Sequence, residues 1–330
     1  MSIVERAMQK AQQNAQARST PEPNSSAAEH ADRITEPPAH PAALDPPRRA
    51  EPEQGHAERA PGVDFASLTS RDLKPLIHID TEQLRSKGRL PLEQMARQVE
   101  EEMRRLKWPL LAAVSGRGGV TPARNNIVQV TSALPSEGKT FTSLNLALSI
   151  ARDREMRVIL VDGDVARPGL TPSLGMKEYR GLNDVLDDQS LDVSEVTYQT
   201  SVPGLFFVPA GKWHDQSPEF FAGARMQQVL EALSLRAGQG VVIFDSPPLL
   251  ATNEAQVASR YAGQVLLVVR ADHTEQHAVL DAISLIEKPT PISAVLNRVE
   301  ASVLSKYYGQ YYYGYGYGKG RSDGSGKGNA

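Results

Sequence analysis

The sequence predicts an α/β domain built on a mostly parallel, doubly wound sheet with helices on both faces. Three observations predict it. Short, nearly continuous Val/Ile/Leu runs recur along the chain, helical stretches separate them, and two of the runs lead directly into Asp. Strands covered on both faces read as unbroken apolar runs, and their alternation with helices is the signature of parallel crossovers. Pro91-Leu92 opens a first helix, where Met95, Val99, Met103 and Leu106 recur at helical spacing. Its other side carries Glu100, Glu101, Glu102, Arg104, Arg105 and Lys107, a pattern of solvated local ion pairs. After Trp108 the alternation begins, with a strand expected over 127–131, a helix over 140–152 and a strand over 158–161. Further strands are expected over 205–208, 241–244, 265–269 and 292–296, separated by helices near 218–236, 254–259 and 275–286. There is no internal repeat.

Composition removes much of the N-terminal third from this domain. Nine of the 23 prolines lie between Pro21 and Pro61, among Ala, Glu, His, Asn and Ser, so residues 19–62 are expected to be a disordered linker. Residues 1–18 read as a short amphipathic helix, with Ile3, Val4, Ala7, Met8 and Ala11 on one side; a docking helix and a frayed terminus are both open readings. The folded domain is expected over 63–304 and a flexible tail over 305–330. The net charge of −3 argues against a nucleic-acid footprint over the whole surface. The chain has no cysteine, which excludes disulfides and thiolate metal sites and fits a cytoplasmic setting. No run of about 18 apolar residues and no signal-peptide pattern is present, so a soluble chain is expected. His273 and His277 fall four apart on an expected helix, where a solvated face is the reading preferred over a metal site.

The strongest local signal is Ala133-Leu134-Pro135-Ser136-Glu137-Gly138-Lys139-Thr140, set between an expected strand and the helix that Phe141 enters. Such a loop cradles phosphates with backbone N–H groups at a helix N-terminus, which makes this a P-loop NTPase candidate. Pro135, Ser136, Glu137, Gly138, Lys139, Thr140 and Phe141 are the candidate nucleotide-binding residues. Lys139 would neutralise the β/γ oxygens, and the Thr140 hydroxyl would ligate Mg²⁺. Ala133 stands where the strict pattern has its first glycine. Two acidic motifs follow strands: Asp162-Gly163-Asp164, and Asp245-Ser246-Pro247-Pro248. The carboxyl ends of strands in an open parallel sheet face the ligand crevice, so Asp162, Asp164 and Asp245 should converge on Mg-ATP. Asn297 and Arg298 follow the last strand, where they could touch the nucleotide base.

Seven of the ten tyrosines, Tyr307, Tyr308, Tyr311, Tyr312, Tyr313, Tyr315 and Tyr317, lie in one glycine-rich tract near the C-terminus. Glycine raises the entropic cost of ordering such a segment, and nothing in it can bury an aromatic core. Phenols on a mobile tail beside bound ATP read as phosphoryl acceptors; a sticky assembly tract is the alternative.

Taken together, the loop ending Gly138-Lys139-Thr140, Asp162-Gly163-Asp164 with Arg167-Pro168, Asp245-Ser246-Pro247-Pro248 and the tyrosine cluster resemble the bacterial tyrosine kinase family. The resemblance covers roughly residues 76–317. Its phrases are most similar to soluble autokinases of exopolysaccharide loci associated with the exosortase/PEP-CTERM system. It implies ATP-dependent autophosphorylation of the tyrosine tail in trans. In that reading Lys139 binds the phosphates, Thr140 and Asp162 hold Mg²⁺, Asp245 supports the metal, and Asp162 or Asp164 accepts the tyrosine proton. Glu101, Arg104 and Lys107 match the family's Glu-x-x-Arg-x-x-Arg oligomer helix, with lysine in place of the final arginine, whose bidentate contact an ammonium does not reproduce. The implied partners are further copies in a ring, a separate transmembrane polysaccharide co-polymerase or chain-length adaptor as activator, and a tyrosine phosphatase, with no nucleic acid. The implied location is the cytoplasmic side of the inner membrane, reached through the partner.

Two other functions fit the loop. A partitioning or positioning ATPase shares the P-loop branch, but those ATPases carry an extra lysine near the loop start, where Leu134 stands here, and they lack a tyrosine tail. A non-catalytic scaffold of a polysaccharide export complex would not need the intact set Lys139, Asp162, Asp164 and Asp245.

Overall fold

The computed structural model describes residues 75–114, 126–153, 155–287 and 290–299. The expected N-terminal helix, the linker and the tyrosine tail lie outside them. Within them, seven strands form one sheet in the order β3-β4-β2-β5-β1-β6-β7. The strands are β1 (Ile127–Ser132), β2 (Val158–Asp162), β3 (Tyr198–Gln199), β4 (Leu205–Val208), β5 (Val241–Asp245), β6 (Gln264–Arg270) and β7 (Ile292–Asn297). All neighbours pair in parallel except β3, a two-residue edge strand antiparallel to β4. The expected parallel sheet is therefore present, with β1 at the point where strand order reverses.

Every residue of β1, β2 and β5 is buried. Alternation along these strands divides them between two cores. On one face Val158 and Leu160 pack with Val99, Met103 and Leu110 of α2 (Ala96–Val114) and with Leu144, Ala147 and Ile150 of α3 (Lys139–Ala151). On the other, Ile159 and Val161 meet Leu182 and Val185 of α5 (Leu182–Asp187), Phe221 of α6 (Ser217–Ala222) and Val229 and Leu233 of α7 (Ala224–Ala237). A third cluster joins Val265, Leu267 and Val269 of β6 to Ala255 of α8 (Asn253–Tyr261) and to Val279, Ala282 and Ile283 of α9 (Gln276–Ser284). Two short helices, α1 (Thr81–Ser86) and α4 (Leu170–Ser173), complete the set. The chain before α1 covers the sheet edge: Ile77 accepts from Ser201 N (2.8 Å) and donates to Gln199 O (2.9 Å), which occupies backbone groups an open edge would leave exposed.

Three expectations about helices change. The helix expected over 218–236 is two helices, because Gly223 is extended (φ −79°, ψ 163°) and turns the chain so that both Phe221 and Met226 reach the same core. The first helix starts with a 3-10 turn at Glu93–Met95, which leaves Met95 exposed, and then continues to Val114, past Trp108. Lys107 is not on the solvated face assigned to it; its ammonium donates to the Ser149 carbonyl at the end of α3 (3.1 Å). Glu101 and Arg104 do face solvent and pair with each other (2.6 Å). No helix among the described residues is long and apolar enough to cross a membrane.

The α2 helix tolerates Pro109 in its interior. Proline removes the N–H that would bond the carbonyl four residues earlier and costs about 3 kcal/mol in an isolated helix. Packing holds this one: Leu110 is buried, and its carbonyl accepts from Gln264 Nε2 of β6 (3.0 Å). Pro109→Ala should therefore stabilise the domain by about 1–3 kcal/mol, read as a raised urea midpoint at unchanged m-value.

Candidate active site

The β1 strand ends at Ser132, and the chain turns through residues 133–138 into α3. Two positions take left-handed backbone: Ser136 (φ 65°) and Gly138 (φ 103°). At 138 glycine is required twice over, since a Cβ there would also overlap the Asn297 side chain. Gly138 caps α3 without a side-chain bond, and the first backbone bond of the helix runs from Thr142 N to Gly138 O (2.9 Å). The amides of Lys139, Thr140 and Phe141 thus have no helical acceptor and form the positive end of the helix. An anion is the partner such a terminus takes.

Glu137 shapes the loop from inside. It is fully buried, and its carboxylate accepts from Leu134 N (2.6 Å), Arg270 N (3.3 Å) and the Thr274 hydroxyl. Its own carbonyl accepts from Asn297 Nδ2 (2.8 Å). The side chain is committed to Leu134, the end of β6 and Thr274 beyond it, so any role of Glu137 toward phosphate falls to its backbone amide. Pro135, which is exposed, has no amide hydrogen and can offer only shape. Asn297, expected near the base, is spent on the loop instead, and Arg298 is exposed with its amide on Asn297 Oδ1 (2.9 Å).

Facing the loop are the two acidic motifs. Asp162 and Asp245 are the last residues of adjacent strands β2 and β5 and stand directly in register. Both are buried. Asp162 Oδ2 accepts from Leu170 N (3.0 Å), Thr171 N (2.7 Å) and Thr171 Oγ1 (2.7 Å), which anchors α4. Asp245 Oδ1 accepts from Ser143 Oγ (3.0 Å). The remaining oxygens, Asp162 Oδ1 and Asp245 Oδ2, are buried with no protein partner. Gly163 allows the close approach: its amide donates to Asp245 O (2.8 Å), and a Cβ there would overlap the Phe244 ring. Gly169 sits over Thr140, where a Cβ would lie 2.8 Å from the hydroxyl oxygen.

Burial raises both carboxyls, and a neighbouring carboxylate adds to the rise, Asp164 at Asp162 and Asp162 at Asp245. Desolvation lifts Asp162 to about 6 against the pull of its Thr171 bonds. Desolvation and the Asp162 charge lift Asp245 to about 7, with Lys139 and the Thr140 and Ser143 hydroxyls opposing. Asp164 is only partly buried; burial raises it, while the Arg167 amide (3.1 Å) and the Lys139 charge hold it down. Lys139 is buried at the start of α3, close enough to act on both Asp164 and Asp245.

Two unpartnered buried oxygens beside a hydroxyl make a donor set that suits a hard cation. Among the described residues no three His, Cys, Asp or Glu side chains gather to hold a metal unaided. Thr140, Asp162 and Asp245 therefore fit Mg²⁺ completed by phosphate oxygens and water, the usual division of ligands for that ion. His277 pairs with Glu275 at the surface (3.1 Å), as its solvated reading expected. The sequence reading missed Ser143 and Thr171, which orient the two carboxylates, and Gln129, whose amide donates to Ser246 Oγ (2.9 Å) and stiffens the second motif. Their one signal was a polar residue in an apolar strand or helix face.

No family model matches the chain. It is 31% identical over 156 residues to the tyrosine-protein kinase ptk of Acinetobacter johnsonii, covering 47% of this chain and 21% of that protein. To the tyrosine-protein kinase YwqD of Bacillus subtilis it is 29% identical over 189 residues, 57% of this chain and 77% of YwqD. Among solved structures the BceF tyrosine kinase domain superposes with a TM-score of 0.53 at 27% identity, over 67% of this chain and 90% of that domain. The chain is similar in sequence to bacterial tyrosine-protein kinases over about half of its length. It spans 27% or less of the length of the longer relatives. The P-loop and mostly parallel seven-stranded sheet described above are the scaffold shared with this family.

Two outcomes follow from the raised carboxyls. Folded-state values above the unfolded ones mean that the native chain holds protons the unfolded chain releases, so stability supplied by these groups is complete below about pH 4 and lost as pH rises toward 7. Metal binding needs the charged forms, so Mg-nucleotide affinity should increase from pH 5.5 to 8 with proton release, measurable by calorimetry in buffers of contrasting ionisation enthalpy. Separately, Gly163→Ala must displace the Phe244 ring or the β5 backbone, and should cost about 2 kcal/mol or more of stability together with metal-dependent nucleotide affinity.

Proposed function

We propose that the protein is an ATP-dependent tyrosine autokinase whose acceptors are the C-terminal tyrosines of a second copy. The observation that carries this reading is the buried pair Asp162 and Asp245, each with a free oxygen, opposite a P-loop lysine and an uncapped helix N-terminus. The similarity to tyrosine-protein kinases supports it.

In this reading the amides of 138–141 and Lys139 hold the terminal phosphates. Thr140, Asp162 and Asp245 would hold Mg²⁺, which supplies charge neutralisation at the γ-phosphoryl group. Asp162 spends one oxygen on three donors and has no exposure, whereas Asp164 is partly open to solvent. Asp164 is accordingly the residue that takes the phenolic proton. The tyrosine oxygen forms its bond to the γ-phosphorus as the bond to the β–γ bridging oxygen breaks, and ADP leaves. Lys139 stays in place to meet the charge that develops between the β and γ phosphates.

Regulation of exopolysaccharide synthesis or export, in the manner of the exosortase/PEP-CTERM-associated autokinases, is the cellular role we assign. A transmembrane adaptor would recruit the chain to the cytoplasmic face of the inner membrane, and a tyrosine phosphatase would reset it. Ring assembly would use the exposed Glu101 and Arg104, since Lys107 is engaged within its own subunit. A tethered tail then sits at high local concentration near a neighbour's crevice.

Incubation of the full chain with labelled ATP, Mg²⁺ and its activator tests the reading. Lys139→Met and a truncation before Tyr307 should each abolish phosphotyrosine, and Asp164→Asn should lower kcat by about 10²–10⁴-fold at nearly unchanged nucleotide affinity. Nucleotide turnover without any phosphotyrosine by mass spectrometry would overturn it.

A further inference from the structure

A groove of about 610 Å³ opens between α6, the turn after β5 and the first turns of α8. None of the residues assigned to nucleotide or metal lines it. Its walls are apolar at Pro218, Ala222, Leu250 and Val257, and Leu250 remains 38% exposed. The lining carries two carboxylates, Glu219 and Glu254, and no cation. Such a surface suits a ligand with apolar rings and positive charge, and repels an anionic one.

The groove is lined by the turn that continues from the second acidic motif. Glu254 is near enough to Asp164 for its charge to raise that carboxyl. The 250–252 turn follows the Asp245-Ser246-Pro247-Pro248 motif, which is bonded to β1 through Ser246 N to Val130 O (2.9 Å) and Leu249 N to Ser132 O (2.8 Å).

One segment of this chain has the complementary chemistry. Between Ala301 and Ser322 every charged residue is basic, Lys306, Lys319 and Arg321, and the intervening residues include all seven tail tyrosines. We propose that the groove between α6 and α8 is the docking site for the segment Lys306–Arg321 of a second copy, with tyrosine rings on its apolar walls and flanking lysines facing Glu219 and Glu254. This deepens the autokinase reading and rests on it for the supply of the second copy. It adds a consequence. Each phosphate brings about −1.5 to −2 charges against the two carboxylates, so a modified tail leaves the groove while an unmodified one is held.

Two experiments with the full-length chain decide it. In the first, full-length Lys139→Met chain is the acceptor, and the donor is either wild type or carries Glu219→Lys or Ala222→Trp. The expected result is an acceptor KM raised about tenfold or more with the KM for ATP unchanged. An acceptor KM within about twofold of wild type in both variants overturns the proposal. The exposed Glu219→Lys change keeps the test valid if Ala222→Trp perturbs folding. In the second, Tyr311 is replaced by photoreactive benzoylphenylalanine in the Lys139→Met chain, and isotopically light and heavy copies are mixed and irradiated without turnover. Crosslinks between copies should land on residues 218–222 or 250–257, and be lost when the tail is enzymatically phosphorylated beforehand by wild-type chain. Crosslinks confined to other surfaces overturn the docking site, whatever the activity. Correct crosslinks in a chain that never makes phosphotyrosine would instead overturn the autokinase reading and leave the groove as a tail-binding surface.

Discussion

Two carboxylates held side by side out of water are the constraint on which the site depends. Parallel pairing of β2 with β5 sets Asp162 opposite Asp245 at one strand spacing, and the flanking hydrophobic layers deny both of them solvent. Like charges so placed do not ionise freely. The chain answers with hydroxyl and amide donors from Ser143, Thr171 and Leu170, but these satisfy only one oxygen of each carboxylate. What remains is a demand for positive charge, met partly by Lys139 and fully by a cation. Folding alone leaves one oxygen of each carboxylate without a partner and both groups with a raised affinity for protons; a cation would complete the pair. Nucleotide recognition is in this sense the last step of building the site.

The P-loop is shaped by a second buried acid with the opposite assignment. Glu137 directs its carboxylate into the protein, where it accepts from three donors, and thereby ties the loop to the end of β6 and to Thr274. Asn297 adds a bond from the last strand to the loop's backbone. The loop is thus preorganised before any phosphate arrives, and its amides are left for the ligand. The strand that holds it through Asn297 is also the one from which the tyrosine segment departs in sequence.

Much of this was legible in the residues. All six long strands fall within a residue of their expected bounds, because unbroken Val/Ile/Leu runs admit few other environments. The P-loop and the Asp-ended strands were legible too, since turn glycines and strand-terminal acids have few cheaper explanations side by side. Helix limits were less so. Gly223 breaks a continuous helical pattern only because Phe221 and Met226 must reach one core, and Pro109 fails to break α2 only because Leu110 is already packed. Edge strand β3 carries too few residues to show any period.

Local pattern decided which segments are strands and helices, where the P-loop lies, and which acids end the neighbouring strands, because those properties depend on spacing along the chain and on the burial each apolar run demands. Tertiary packing decided which oxygen of each acid is free, that Glu137 faces inward while Asp164 faces out, that Lys107 serves its own subunit, and that an acidic groove opens beside Asp164. Those outcomes depend on partners that lie up to 160 residues away in the chain, as Asn297 does from Glu137, and no short-range pattern encodes them.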